Sequence, residues 1–292
     1  MYLKFLIFII PLFMYSNEKI EVINVAYNYD MNNISKYKNS RSALNIWINS
    51  FTKNINKNIN MNVYDNNEEI INDYINSKID AISINADVYL KNKEKLDKNT
   101  VEYWHLRRSE IKPYQKMYLI VNRNSNINTV LDLKNKKIAI DTHNEFGKIF
   151  FEKTFISSTQ KNADNIMSKI NYNKSSSLLL KTYFSKYDAA VITSYEYKIM
   201  IDLNPAIKKR IKILKSSPEI FPYTFVLFHK KNKINNIQIF RKMLKKFLQS
   251  KNKEELYNIV KIKEISINKK DDFYLLGKYY EDYLEIKNKF DK

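Results

Sequence analysis

The chain has 292 residues, no cysteine, only two glycines and a formal net charge of +19. The lack of cysteine excludes disulfides and lipid attachment through an N-terminal thiol, while the length suits two domains whose core needs no covalent staple. Nucleic-acid binding does not follow from the charge, because the lysines are spread through every segment and read as solvated faces, with no single basic patch.

Lys4 precedes an apolar run, Phe5–Met14, that is interrupted by Pro11 and followed by Tyr15-Ser16 and the polar Asn17. Ten residues are too few to cross a bilayer as a helix, which takes ~20. The run suits the apolar region of a secretory signal spanning residues 1–16, with Ser16 as the small residue at the cleavage point. The alternative is an uncleaved N-terminal anchor. No later stretch is long and apolar enough to span a membrane. A periplasmic location is the expectation.

Ile20–Ala26 reads as a first strand, leading into the polar segment Tyr27–Asp30. Leu44, Trp47, Ile48, Phe51 and Ile55 mark one face of an amphipathic helix. Met61–Tyr64 is a second strand. Asn66 and Glu69 form a helix-start pair ahead of Ile70, Ile71, Tyr74 and Ile75. Asp80–Ile84 is a third strand, so this region is a βαβ unit with parallel strands. Val101–His105 and Met117–Val121 are further strands. A second α/β series follows: strand Ile138–Ile140, polar loop Asp141–Glu145 and helix Phe146–Phe155. After a polar break over 157–164 come a weak strand at Ile170–Tyr172, the serines 175–177, a helix Leu178–Phe184 and strand Ala189–Ile192. Ser194 is placed to cap a helix running toward Met200. Ile211–Leu214 and Tyr223–Phe228 are strands, and the C-terminal third reads as helical.

Two α/β series joined by crossing strands imply two lobes, each a mainly parallel sheet flanked by helices, with a helical tail returning to the first. The expected bounds are 17–119 with 223–292 for one lobe and 120–222 for the other. Ligands of open α/β sheets sit where strands end and helices begin. The loops at such positions are Tyr27–Asp30, Asn85–Tyr89, Asp141–Glu145, Ser175–Ser177 and Thr193–Tyr195. The first turn of the helix behind Asp141–Glu145 offers free backbone N–H groups to a polar or anionic ligand.

At these loops the chain resembles the phosphate-, phosphite- and phosphonate-binding subgroup of periplasmic solute-binding proteins of ABC importers. Three segments carry the resemblance. Asp80–Tyr89 (DAISINADVY) is similar to the family's Asp-start strand, loop and ligand-facing Tyr. Leu131–Lys134, the strand at Lys137–Ile140 and then Asp141–Gly147 are similar to its DLKGK turn, strand and Asp-to-Gly segment. Asn173–Ala190 ends in Tyr187-Asp188-Ala189-Ala190, similar to the family's helix and Asp-Ala-Ala strand. The order holds over nearly the whole mature chain. The resemblance implies a type 2 periplasmic-binding-protein fold, a small ligand held between the lobes, ABC permease membrane subunits as partners, a monomer, no cofactor and no catalysis.

The chain departs from the family at the ligand. The family's Ser-Thr-Ser stands here as Asn144, Glu145 and Phe146, and its His as Ser175. Glu145 sets a negative charge where an anion would sit. The expected ligand is therefore phosphonate-like, zwitterionic, cationic or neutral polar. The candidate contacts are Tyr27, Tyr89, Thr142, His143, Asn144, Glu145, Ser175, Ser194 and Tyr195. Asp188 reads as structural and Trp47 as core. His105, His143 and His229 lack metal-ligand spacing. Two S-x-x-K strings, at Ser50 and Ser158, stand without the other motifs of acylating enzymes. Two further readings remain open: a ligand-sensing module that partners a membrane sensor kinase, and an exported enzyme using Glu145 with a nearby Ser or His.

Overall fold

The computed structural model describes residues 21–28, 57–107, 114–142, 144–173, 178–222, 224–232, 234–249, 264–268 and 273–290. The helix expected across Leu44–Ile55, with Trp47, lies outside them, as do Tyr29, Asp30, His143, Ser175–Ser177 and the N-terminal segment.

Strands β1 (Glu21–Asn28), β2 (Lys57–Tyr64) and β3 (Ala81–Asn85) pair in parallel, with β1 between the other two. Helix α1 (Asn67–Ile75) makes the crossover from β2 to β3. It starts where the sequence says: Asn66 caps it, accepting a hydrogen bond from the Glu68 N–H at 2.7 Å. Ile70, Ile71 and Tyr74 form its buried stripe. Asp80 fixes the register of this sheet. Its carboxylate accepts from the Asn24 N–H at 2.7 Å and its carbonyl from the His229 N–H at 2.9 Å.

The segment expected as a loop after β3 is instead the short helix α2 (Ala86–Lys91), followed by α3 (Lys93–Asp97). Strand β4 (Thr100–Arg107) joins the same sheet at a distance from β3. The chain then crosses to a second sheet made of β5 (Met117–Asn122), β6 (Ile138–Asp141), β7 (Asn171–Asn173), β8 (Ala189–Thr193) and β9 (Ile211–Ser216). Its three longest helices are α4 (Glu145–Thr159), α5 (Leu178–Tyr183) and α6 (Ser194–Leu203). Helix α4 runs to Thr159, through part of the polar break expected from 157. The chain returns through β10 (Thr224–His229), helix α7 (Ile234–Gln249), β11 (Glu264–Asn268) and helix α8 (Tyr274–Phe290). Strand β11 was not expected in a wholly helical C-terminal third. It pairs antiparallel with β4 and edges the first sheet.

The sheet orders are β11-β4-β10-β3-β1-β2 and β7-β6-β8-β5-β9. Each holds three parallel strands, and beside them one antiparallel strand that has just arrived from the other sheet: β10 in the first, β5 in the second. Both strands are therefore interior. The crossovers lie just ahead of them, and β5 belongs wholly to the second sheet from Met117 onward. The two crossovers run side by side. Gln115 and Phe221 exchange backbone hydrogen bonds of 2.9 and 3.2 Å, and the Met117 N–H donates to Ser217 Oγ at 2.8 Å.

One apolar cluster runs through both sheets at this junction. The Phe221 ring is fully buried, with ring centres 5.0 Å from Phe146 on α4 and 5.3 Å from Tyr279 on α8. Helix α8 does not return to the first lobe alone. At its start Phe273 packs on Phe225 (4.4 Å), Tyr103 (5.9 Å) and Tyr89 (6.1 Å) of the first lobe. Further along, Tyr283 donates to the buried Glu152 on α4 at 2.6 Å, and Lys287 pairs with Glu152 at 2.9 Å. A second cluster seats α7 on the first sheet through Ile237, Phe240 and Leu244 against Trp104 and Phe228. Trp104 is thus core. Asp188 is structural as expected, its carboxylate accepting from the Lys137 N–H at 2.8 Å.

Replacing Phe221 by Ala removes a fully enclosed ring that both lobes share. The variant is expected to lose about 3–5 kcal/mol of unfolding free energy in chemical denaturation. His229 gives a separate pH signature. Burial, and then the neighbouring Lys231 and Lys230, push its imidazole below the ordinary 6.5. The folded state then binds this proton less readily than the unfolded state, so stability is lost as pH falls below that value. Denaturation midpoints should drop between about pH 7 and about pH 5, and His229→Gln should flatten the curve in that window.

Candidate functional site

Strands β6 and β8 lie side by side and parallel. Their carboxyl ends therefore bring the first turns of α4 and α6 together. At α4, Asn144 is the cap: its Oδ1 accepts from the Gly147 N–H at 2.8 Å. The cap explains the glycine. A Cβ at position 147 would lie 2.7 Å from Asn144 Nδ2, so only glycine lets the carboxamide fold over the helix tip. Gly277, the other glycine of the chain, has no such reason, since a Cβ there would meet nothing within 4 Å.

Glu145 is the first residue of α4 and forms two ion pairs, with Lys148 one turn on at 3.0 Å and with Lys91 at 3.3 Å. Lys91 ends α2 in the first lobe, so this second pair spans the two lobes. Burial works to raise the Glu145 carboxyl, but Lys148 and Lys91 outweigh it and hold the group below its ordinary value. Asp87, on α2, behaves oppositely. Burial raises its carboxyl, Lys91 counters this, and the Glu145 charge adds to the rise. Asp87, Lys91, Glu145 and Lys148 therefore form one alternating set of charges. Sequence reading found only Glu145. The i,i+4 spacing of Asp87 and Lys91 was the available signal for the others.

At α6 the cap is Thr193, one residue before the expected Ser194. Thr193 Oγ1 accepts from the Glu196 N–H at 3.1 Å, and the Glu196 carboxylate accepts from the Thr193 N–H at 2.8 Å. Ser194 is used differently: its Oγ accepts from the Lys116 N–H at 3.0 Å, and its own N–H donates to the Lys116 carbonyl at 2.8 Å. It ties α6 to the first crossover. Tyr195 and Thr142 are half-buried on their respective turns.

Tyr89 is corrected. It lies on α2 with no exposed surface, its hydroxyl donates to Asp97 at 2.8 Å, and its ring packs on Phe225, Phe273 and Tyr103. The short helix turns the ring inward. Burial and the Asp97 carboxylate push its hydroxyl well above the usual phenol range. Tyr27 is also enclosed, at 6 % exposure near the end of β1. The structure thus groups Thr142, Asn144 and Glu145 at one helix tip and Ser194 and Tyr195 at the adjacent one, and takes Tyr89 away. A groove of about 640 Å³ between α2–α3 and α8 shares Lys91 with the charge set, but none of the expected contacts lines it. Among the described residues no group of three or more His, Cys, Asp or Glu is placed to hold a metal ion, and no helix is long and apolar enough to cross a membrane.

Residues 35–272 match the family model described as ABC transporter, phosphonate, periplasmic substrate-binding protein. No curated protein matches the chain. Solved structures share the fold at low identity. The binding-protein component of an ABC phosphonate transporter from Pseudomonas aeruginosa is 11% identical with a TM-score of 0.57, covering 92% of this chain and 88% of its own. A Prochlorococcus marinus protein, PhnD1, in complex with methylphosphonate is 12% identical with a TM-score of 0.61, covering 90% and 98%. A Xanthomonas citri protein bound to ATP is 8% identical with a TM-score of 0.65, covering 92% and 98%.

The Asn144 cap and Gly147 form a testable pair. Asn144→Ala should cost about 1 kcal/mol of stability. Gly147→Ala should be close to neutral alone, because better helix propensity offsets a displaced cap, but should stabilise by about 1 kcal/mol once Asn144 is Ala. Urea denaturation of the four combinations measures this. Gly277→Ala, with no cap to disturb, is the stabilising control.

Proposed function

Because this chain belongs to the periplasmic substrate-binding proteins of phosphonate-type ABC transporters, we propose that it captures a small polar solute between its two lobes at the paired tips of α4 and α6. It is the substrate-binding component of a transporter and not an enzyme, and it works with membrane permease subunits. The family match favours this over the sensing and enzymatic readings.

The lobes divide at the two crossovers, and closing about them brings α2 toward α4, as hinge-type binding proteins do. A cleft closed by its own lobes needs no second copy, so the working unit is a monomer. The first sixteen residues direct export and are removed after Ser16. The ligand is phosphonate-like or zwitterionic, contacted by Thr142, Glu145, Ser194 and Tyr195, with His143 and Ser175 as further expected contacts outside the described residues. The observation that carries this reading is the ion pair from Lys91 in one lobe to Glu145 at a helix tip in the other.

Calorimetry and thermal shift of the purified mature chain against phosphonates, sulfonates, amino acids and polyamines test it. One-to-one binding is expected, with the folded state gaining about 2.7 kcal/mol when ligand reaches a hundredfold excess over Kd. Glu145→Gln should change affinity and create or remove no turnover. Silence across the panel, together with measured turnover of any compound, contradicts the proposal.

A further inference from the structure

The tip of α4 is rich in acceptors. The Gly147 N–H, which would otherwise meet an anion, is already taken by Asn144 Oδ1 at 2.8 Å. Glu145 adds a carboxylate at the first helical position. A third acceptor comes from a different element. Gln115, in the first crossover, is 8 % exposed, and its Oε1 is buried with no hydrogen-bond partner. Buried polar atoms in folded proteins nearly always have partners, so an orphan of this kind asks for a donor from outside the chain.

The direction of Gln115 follows from the alternation of an extended segment. Gln115, Met117 and Leu119 are buried, while Tyr114, Lys116 and Tyr118 are half-buried. Gln115 thus shares a side with Met117, whose sulfur lies 3.8 Å from Asn144 Nδ2. Its bridge partner Phe221 packs on Phe146, the second residue of α4. The Gln115 side chain therefore leaves the crossover on the side that faces the start of α4. At present the only cation brought to this tip from the facing lobe, among the described residues, is Lys91, on Glu145 at 3.3 Å.

We propose that the tip of α4 receives a cationic, hydrogen-bond-donating group of the ligand, a primary ammonium or guanidinium, which replaces Lys91 on Glu145 and donates to Gln115. This rests on the interlobe reading above and specifies the chemistry that one end of the solute must carry. Lys91 acts as an internal stand-in, neutralising Glu145 until the solute arrives. An anion alone finds the Gly147 amide taken and a carboxylate in the way.

Two matched pairs test the inference by calorimetry on the mature chain: aminomethylphosphonate against methylphosphonate, and 1,4-diaminobutane against 1,4-butanediol. The amine member of a pair should bind about tenfold tighter or more, as a charge-assisted hydrogen bond provides. Glu145→Gln should reduce that preference to about threefold or less. Gln115→Leu should weaken the amines and leave the thermal stability of the empty protein equal or higher, which a purely structural glutamine would not. Methylphosphonate binding as tightly as its amine, or a preference that survives Glu145→Gln, overturns the inference and leaves the receptor reading standing. If neither amine binds the inference falls, and if nothing in the wider solute panel binds either, both fall together.

Discussion

The structure depends on how two chain segments pass between two sheets. The exchange of backbone hydrogen bonds between Gln115 and Phe221 zips the crossovers together, yet each such bond contributes only about 1 kcal/mol net. The ring of Phe221 decides the matter. It is enclosed by Phe146 from the second lobe and Tyr279 from the C-terminal helix, and burying a side chain of that size contributes about 1.5–3 kcal/mol. Helix α8 then spans the junction, anchored by Phe273 at one end and by the Tyr283–Glu152–Lys287 contacts at the other. Relative movement of the lobes must work around this strap, which sets the geometry in which Lys91 meets Glu145.

The same junction places the chemistry. A helix start favours negative charge through its free N–H groups and dipole. Here that tendency is used internally: Asn144 folds over Gly147, and Glu145 benefits from the same field while two lysines neutralise it. The fold is kept and the polarity of the helix tip is altered. That is how a chain can belong to a phosphonate-type family while lacking the hydroxyl donors that the resemblance led one to expect at this loop.

Much of the fold was legible because apolar runs bounded by polar turns are hard to mistake. β3, β6, β8 and β10 all fall within two residues of expectation. The duplicated sheet order was not, because the two halves share topology without sharing sequence. Strand β11 is five residues with alternating polar positions, too short to stand out near two longer helical stripes. Ser194 was read as a cap because Thr193-Ser194 offers two adjacent hydroxyls, and only the reach of Glu196 selects the first. Tyr89 was misplaced because spacing cannot tell a loop from a one-and-a-half-turn helix, and the helix rotates the ring into the core. Lys91 carried only its i,i+4 spacing from Asp87, a weak mark in a lysine-rich chain, and Gln115 is a polar residue at an inward position whose alternation shows only in the burial of the folded strand. Both acquire meaning only when the crossovers bring distant segments together.

If the lobes close on a solute about the zipped crossovers, the distance between them changes on binding. The chain has no cysteine, so spin labels can be placed at two exposed positions alone, Val101→Cys in the first lobe and Leu203→Cys in the second, which are 56 % and 75 % exposed. Pulsed electron resonance would then read the interlobe distance with and without a bound solute. A shorter or narrower distance distribution is expected on binding. A distribution unchanged under saturating solute would contradict it.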